Sequence, residues 1–404
     1  MKTFFYFFLL LILSSCAEKQ ENILFTSGFE ENISSKILGE ERKVWIHVPF
    51  MNRDNKTADK ERYPVIYLLD GDYNFNTVVS ITEHMSQEGL CPPIIVVGIL
   101  NPNRMLDLTT GTDPNFPKDI GRGEKFLSYI EKELIPYIDK KYPTAPHKTF
   151  IGHSLGGLAV VNALMHKPDI FNAYISIEGA LWWNNNEIVE ESKIALANKD
   201  FENKRLFIAL ANRMERGIDT VLVQKDTSND TNLIRSNLKF IKEISKNKKN
   251  HLQFKHKYYG DDNHSSVRLI AEYDALRFIF DYYKLNIYNS EIDNPNFKLD
   301  SLVKQHYKNV SKQMGYAVKP DEFQINNLAY QIMSRKQLDK AEYLFKLNIA
   351  NYPKKANTYD SMGDLYLAKG DSSKAMENFK KALSIEENPI SREKLDMLLK
   401  KTNK

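Results

Sequence analysis

Two cysteines in 404 residues exclude a disulfide framework. No Cys/His cluster has zinc spacing, so no metal is expected, and no motif calls for an organic cofactor. The 56 basic and 52 acidic residues leave a net charge of only +4, without the one-signed excess of a nucleic-acid binder. With 42% hydrophobic and 11% aromatic residues the chain is not of a disordered type. The apolar run at residues 4–13 is too short to span a bilayer comfortably as a mature helix. What remains is a globular chain long enough for one large domain and a smaller one.

That apolar run follows Lys2 and ends in Leu13-Ser14-Ser15-Cys16. A positive residue, a short apolar stretch and small residues before a cysteine resemble a bacterial lipoprotein signal. The expectation is a signal peptide at residues 1–15, a lipidated Cys16, a polar tether over 16–30 and anchorage in a bacterial cell envelope. The alternative is an ordinary secretory signal with an incidental cysteine. Cys91, in Leu90-Cys91-Pro92-Pro93, reads as a small buried residue.

The feature that carries chemistry is Gly152-His153-Ser154-Leu155-Gly156-Gly157. A short apolar-leaning segment precedes it and the helix-like run 158–164 follows. Gly-x-Ser-x-Gly between a strand and a helix is a nucleophile elbow, with the serine on a sharp turn above the sheet. The glycines are needed where a side chain would strike the neighbouring backbone. Apolar runs at 63–69, 94–99, 174–177 and 206–210 predict buried parallel strands, joined by Val44–Val48 and a last strand over 251–259. Leu127, Ile130, Leu134 and Ile138 mark an amphipathic helix, and 273–283 a closing one. Strands alternating with helices give an α/β fold with a mostly parallel sheet. Its ligands bind at the carboxyl ends of the strands.

A serine hydroxyl needs a base. His251 and His256 fall in or at the start of the last strand. His264, in Asp262-Asn263-His264, lies beyond it and is the expected base. The acid is sought after the 206–210 strand, where Glu215 is the nearer carboxylate and Asp219 the second; a serine–histidine pair without an acid is also open. The oxyanion hole is expected from the backbone amide of Leu155 and that of Gly71 or Asp72.

Together, Tyr63-Pro64-Val65-Ile66-Tyr67-Leu68-Leu69-Asp70-Gly71, Arg104 with Asp107-Leu108-Thr109, the Ser154 elbow, Leu181-Trp182-Trp183 and the His264 loop stand in the order of a known family. Over about residues 30–287 the chain resembles the α/β-hydrolase esterases that include enterochelin esterase-like siderophore hydrolases, esterase D, feruloyl and acetylxylan esterases and mycolyltransferases. It is closest to the siderophore-esterase-like branch. The resemblance implies a small-molecule ester substrate, Ser154 as nucleophile, His264 as base and acid, and a carboxylate near Glu215. The chain departs from the family in one place, with Glu178-Gly179-Ala180 where a Ser-Pro pair often stands, after a strand expected to carry no triad member. Trp182 and Trp183 are candidates for a wall that stacks on an aromatic or cyclic acyl group, or one of them packs in the core.

Residues 288–297 read as a linker between a hydrolase domain at 31–287 and a tail at 298–404. In the tail Ile325, Leu328, Ala329, Ala341 and Phe345 recur as Tyr359, Met362, Gly363, Ala375 and Phe379, while Pro353 meets Glu387 and breaks the pattern; the 34-residue period matches tetratricopeptide repeats. Two repeats are few for a free solenoid, so flanking helices are expected to cap them. Such repeats bind a partner protein or brace the hydrolase. The expected function is a serine esterase. The alternatives are a catalytically silent hydrolase fold acting with the repeats as a binding module, and a serine peptidase of the same fold.

Overall fold

The structure, a computed structural model, describes residues 27–49, 61–112, 120–202 and 204–402. The signal segment and Cys16 lie outside the described residues.

Eight strands form one sheet in the order β1-β2-β4-β3-β5-β6-β7-β8. They are β1 (Phe29–Ser35), β2 (Glu40–His47), β3 (Tyr63–Leu69), β4 (Ile95–Ile99), β5 (Thr144–His153), β6 (Ala173–Ile177), β7 (Arg205–Ala211) and β8 (Gln253–Tyr259). From β4 to β8 all neighbours are parallel, while β1/β2 and β2/β4 are antiparallel. β1 was not predicted, and its first two residues fall in the expected tether. Its sequence FEENISS is polar on an edge strand, with only Ile33 and Ser35 buried, so it carries little apolar signal.

The helices are α1 (Gly71–Gln87), α2 (Arg104–Leu108), α3 (Gly123–Tyr129), α4 (Ile135–Lys141), α5 (Leu155–His166), α6 (Trp183–Asn198), α7 (Asn232–Lys246) and α8 (Val267–Ile279). A π-helical turn, Ile130–Leu134, joins α3 to α4, so the expected amphipathic helix is continuous but locally underwound. The closing helix starts and ends earlier than its apolar pattern suggested.

Alternate residues of each strand feed two cores. Val65, Tyr67, Leu69, Phe150, Leu206 and Ile208 meet α3 to α7 on one face. Ile66, Leu68, Ile151, Ile175, Phe207 and Ala209 meet α1 and α8 on the other. Both faces are covered, which is why the central strands read as unbroken apolar runs. Cys91 is 1% exposed, and burial pushes its thiol pKa up. The chain crosses from β3 to β4 on one side, then back past β3 to β5. The crevice at the carboxyl ends of β3 and β5 is thus the switch point where such sheets bind ligands.

Beyond the one-turn α9 (Asn289–Asp293) come α10 (Leu299–Met314), α11 (Glu322–Ser334), α12 (Leu338–Asn351), α13 (Ala356–Ala368), α14 (Ser372–Ile385) and α15 (Pro389–Thr402). α11/α12 and α13/α14 are two hairpins at the same 34-residue offset at which Tyr330 bonds Asp364. A Cβ on Gly363 would lie 2.5 Å from the Phe379 ring, so the small residue is what lets α13 meet α14. Val310 and Met314 of α10 share a buried cluster with Cys91, Ile94 and Phe280. His306 donates through Nε2 to the Tyr283 carbonyl at 3.0 Å. These residues lie where α1 and α8 end and β4 begins. The tail therefore docks at the amino ends of the parallel strands, across the sheet from Ser154.

Candidate active site

Ser154 follows β5 and caps α5 with φ 59° and ψ −116°, a positive-φ conformation costly for a residue with a Cβ. Three backbone bonds hold it there. Its N–H donates to Ile177 O (3.0 Å), and its carbonyl accepts from Leu158 (3.1 Å) and Ala180 (2.9 Å). A Cβ on Gly152 would lie 2.2 Å from the Gly156 carbonyl oxygen, and one on Gly157 2.7 Å from Gly179 Cα. The glycines are required by close approach.

The turn after β3 is equally constrained. Asp70 is left-handed (φ 53°, ψ 49°), and Gly71 opens α1 against the backbone of Gly98, which a Cβ would approach to 2.7 Å. Arg104 grips the Asp70 carboxylate with Nε (2.7 Å) and Nη2 (2.9 Å). Arg104 is itself placed by α2, whose Asp107 is fully buried between Arg42 (2.8 Å) and Arg122 (2.5 Å). A carboxylate so buried persists only when paired in this way. A Cβ on Gly156 would meet Asp70 Oδ2 at 3.4 Å, so the N-termini of α1 and α5 lie side by side. Gly71 and Leu155 are buried and Asp72 exposed, all at the first residues of these two helices, whose free amides and dipoles suit a developing oxyanion.

His264 stands on the loop after β8. Its Nδ1 lies 3.1 Å from Glu178 Oε2, the place of a donor, and in the neutral imidazole that tautomer turns Nε2 into the acceptor. Glu178 is fully buried and follows β6; its Oε1 accepts from the Ala211 amide at 2.7 Å. The side chain of His153, the residue before Ser154, lies with its ring centre 4.5 Å from that of His264. His264 and the elbow are therefore neighbours.

The carboxylate at His264 is Glu178, not Glu215. Glu215 is exposed on the loop after β7, and Asp219 spends its Oδ1 on the amides of Val221 (2.9 Å) and Leu222 (2.7 Å). The loop expected to carry no triad member supplies this carboxylate. The signal was a lone carboxylate directly at the carboxyl end of the strand beside the elbow strand. His251 instead pairs with Asp200 at 3.0 Å, and His256 is exposed on the edge strand β8. Trp183 is 2% exposed and its Nε1 donates to Thr110 O at 2.9 Å, so it is a core residue and not a stacking face; Trp182 is half-buried beside it.

The family model described as Putative esterase matches residues 35–268, more than half of the chain. The chain belongs to this esterase family. The ferri-bacillibactin esterase BesA of Bacillus subtilis (strain 168) is 31% identical over 185 residues, 40% of this chain and 63% of that protein. The chain thus matches less than two thirds of that relative's length. An IroE-like serine hydrolase from Shewanella oneidensis superposes with a TM-score of 0.66 at 28% identity, covering 80% of this chain and 98% of the other. A protein from Capnocytophaga ochracea shares the fold over 92% of this chain and 99% of its own, with a TM-score of 0.61 at 22% identity.

Proposed function

We propose that this protein is a serine ester hydrolase that cleaves an ester-linked siderophore. The observation that carries the proposal is the bond from His264 to the buried Glu178 carboxylate, beside the positive-φ Ser154. His264 Nε2 takes the Ser154 hydroxyl proton as Oγ attacks the ester carbonyl. The negative charge that develops on the carbonyl oxygen faces the amides that open α5 and α1, Leu155 and Gly71 or Asp72. Collapse expels the alcohol, which leaves with the proton from Nε2. Water then attacks the acyl-enzyme, giving its proton to Nε2, and the acid departs as Ser154 recovers its hydrogen. Glu178 keeps Nδ1–H in place and stabilises the imidazolium at each transfer.

The siderophore class rests on the relative named for ferri-bacillibactin. Feruloyl or simple acyl esters are the rival substrates, and a peptidase of the same fold is a rival activity. The tail helices fit tetratricopeptide repeats that brace the hydrolase or bind a partner protein. Cys16 fits a lipid anchor in the cell envelope; this rests on the sequence alone. Incubation with ferri-bacillibactin and its iron-free form should yield products heavier by one water per ester cleaved. Ser154→Ala should slow this by about 10⁴-fold or more. An intact siderophore together with rapid cleavage of a feruloyl or acetyl ester would reassign the substrate.

A further inference from the structure

We infer that His153 is a positioning residue for the base: it donates Nε2–H to the main-chain carbonyl of His264 and packs its ring against the imidazole. The donor distance is 2.7 Å, the ring centres are 4.5 Å apart and the planes are tilted by 44°. This rests on His264 being the base of the proposed reaction.

A carbonyl oxygen has no proton to give, so the bond fixes His153 as the Nε2–H form. Burial is the main reason that form stays neutral; with His264, Arg268 and Arg104 nearby, it lowers the His153 pKa to about 3 despite the bond to His264. A neutral neighbour does not compete for the serine proton. It also does not repel the imidazolium that His264 becomes during turnover. His153 therefore contributes position without contributing charge.

The two anchors of His264 come from different strands. Glu178, after β6, holds the side chain through Nδ1. His153, the last residue of β5, holds the main chain. Fixing both leaves the imidazole little freedom to swing away from Ser154, the next residue after its own anchor. The elbow is tied onward as well. Arg104 Nη2 reaches the His153 carbonyl at 3.4 Å while it grips Asp70 at the start of α1. A single polar path thus runs from the turn after β3, through the elbow, to the base. Misplacing a catalytic group by about 1 Å can cost about 10²-fold in rate, so loss of one anchor should be felt in turnover rather than in binding.

The test uses the full-length protein and a chromogenic short-chain ester. His153→Phe keeps the ring and removes the donor. His153→Gln returns an N–H donor at about the distance of Nε2. His153→Phe should lower kcat about 10-fold or more, with KM within about 3-fold and Tm within a few degrees. His153→Gln should recover kcat to within about 3-fold of wild type. Nitrogen NMR of the wild-type protein should show His153 as Nε2–H and not titrating between about pH 5 and 9, a readout that stands if a variant fails to fold. Wild-type kcat in His153→Phe, equal impairment of both variants, an Nδ1–H form or titration in that range would each overturn the inference. Loss of the parent reading shows up separately, as full activity in Ser154→Ala.

Discussion

Glu272 lies on α8, two turns beyond the His264 loop, with both carboxylate oxygens buried and unpartnered. Burial, opposed weakly by Arg268, raises its pKa to about 8 from an ordinary 4.5. The folded protein therefore holds a proton that the unfolded chain releases in between. Stability from this group is complete below the unfolded pKa and is lost as pH rises through the folded one, then levels off. Glu272→Gln keeps the shape of the neutral acid and removes that loss. The variant should gain on the order of 2 kcal/mol at pH 8 and lose less Tm than wild type between about pH 5 and 8. Parallel Tm–pH curves for the two proteins would refute this. Glu178 is buried as deeply, yet both of its oxygens are bonded, to His264 and to the Ala211 amide. The two carboxylates differ in partners rather than in depth, and only the partnered one faces the proposed base.

At the scale of elements, periodicity made the centre of the sheet legible. β3, β4, β6 and β7 are buried on both faces, so continuous apolar runs marked them. The elbow showed because the backbones packed around Ser154 leave no room for a Cβ at Gly152 or Gly157. β1 was not legible, since an edge strand needs few apolar residues. The carboxylate that meets His264 was sought one strand too far along the sheet. Order along the chain puts an acid between Ser154 and His264, but β6 and β7 both end within that interval and both run beside the site. Only the fold shows that the β6 end turns its carboxylate inward while the β7 loop stays exposed. His153 gave no signal because a histidine inside an elbow motif looks like a spacer until the His264 carbonyl is seen at 2.7 Å. In the tail, the small residues at Ala341, Gly363 and Ala375 betrayed the close helix pairs, since bulk there would push the helices apart.

At the scale of the whole molecule, the helical tail and the candidate site occupy opposite ends of the sheet. Met314 is fully buried and accepts a hydrogen bond from the Tyr282 hydroxyl at 3.0 Å, so it is a keystone of that junction. Met314→Ala should cost about 2–5 kcal/mol of stability and leave kcat on a small ester within about 2-fold. A large fall in kcat while the hydrolase remains folded would mean that the tail helps to shape the site. The central claim is that Ser154 is activated by His264 under the orientation of Glu178. The most direct test is the rate and position of labelling by a fluorophosphonate in wild type, Glu178→Gln and Glu215→Gln. The predicted result is a single adduct on Ser154, formed on the order of 10³-fold more slowly in Glu178→Gln and at the wild-type rate in Glu215→Gln. An adduct on another serine, or slowing in Glu215→Gln with none in Glu178→Gln, would contradict it.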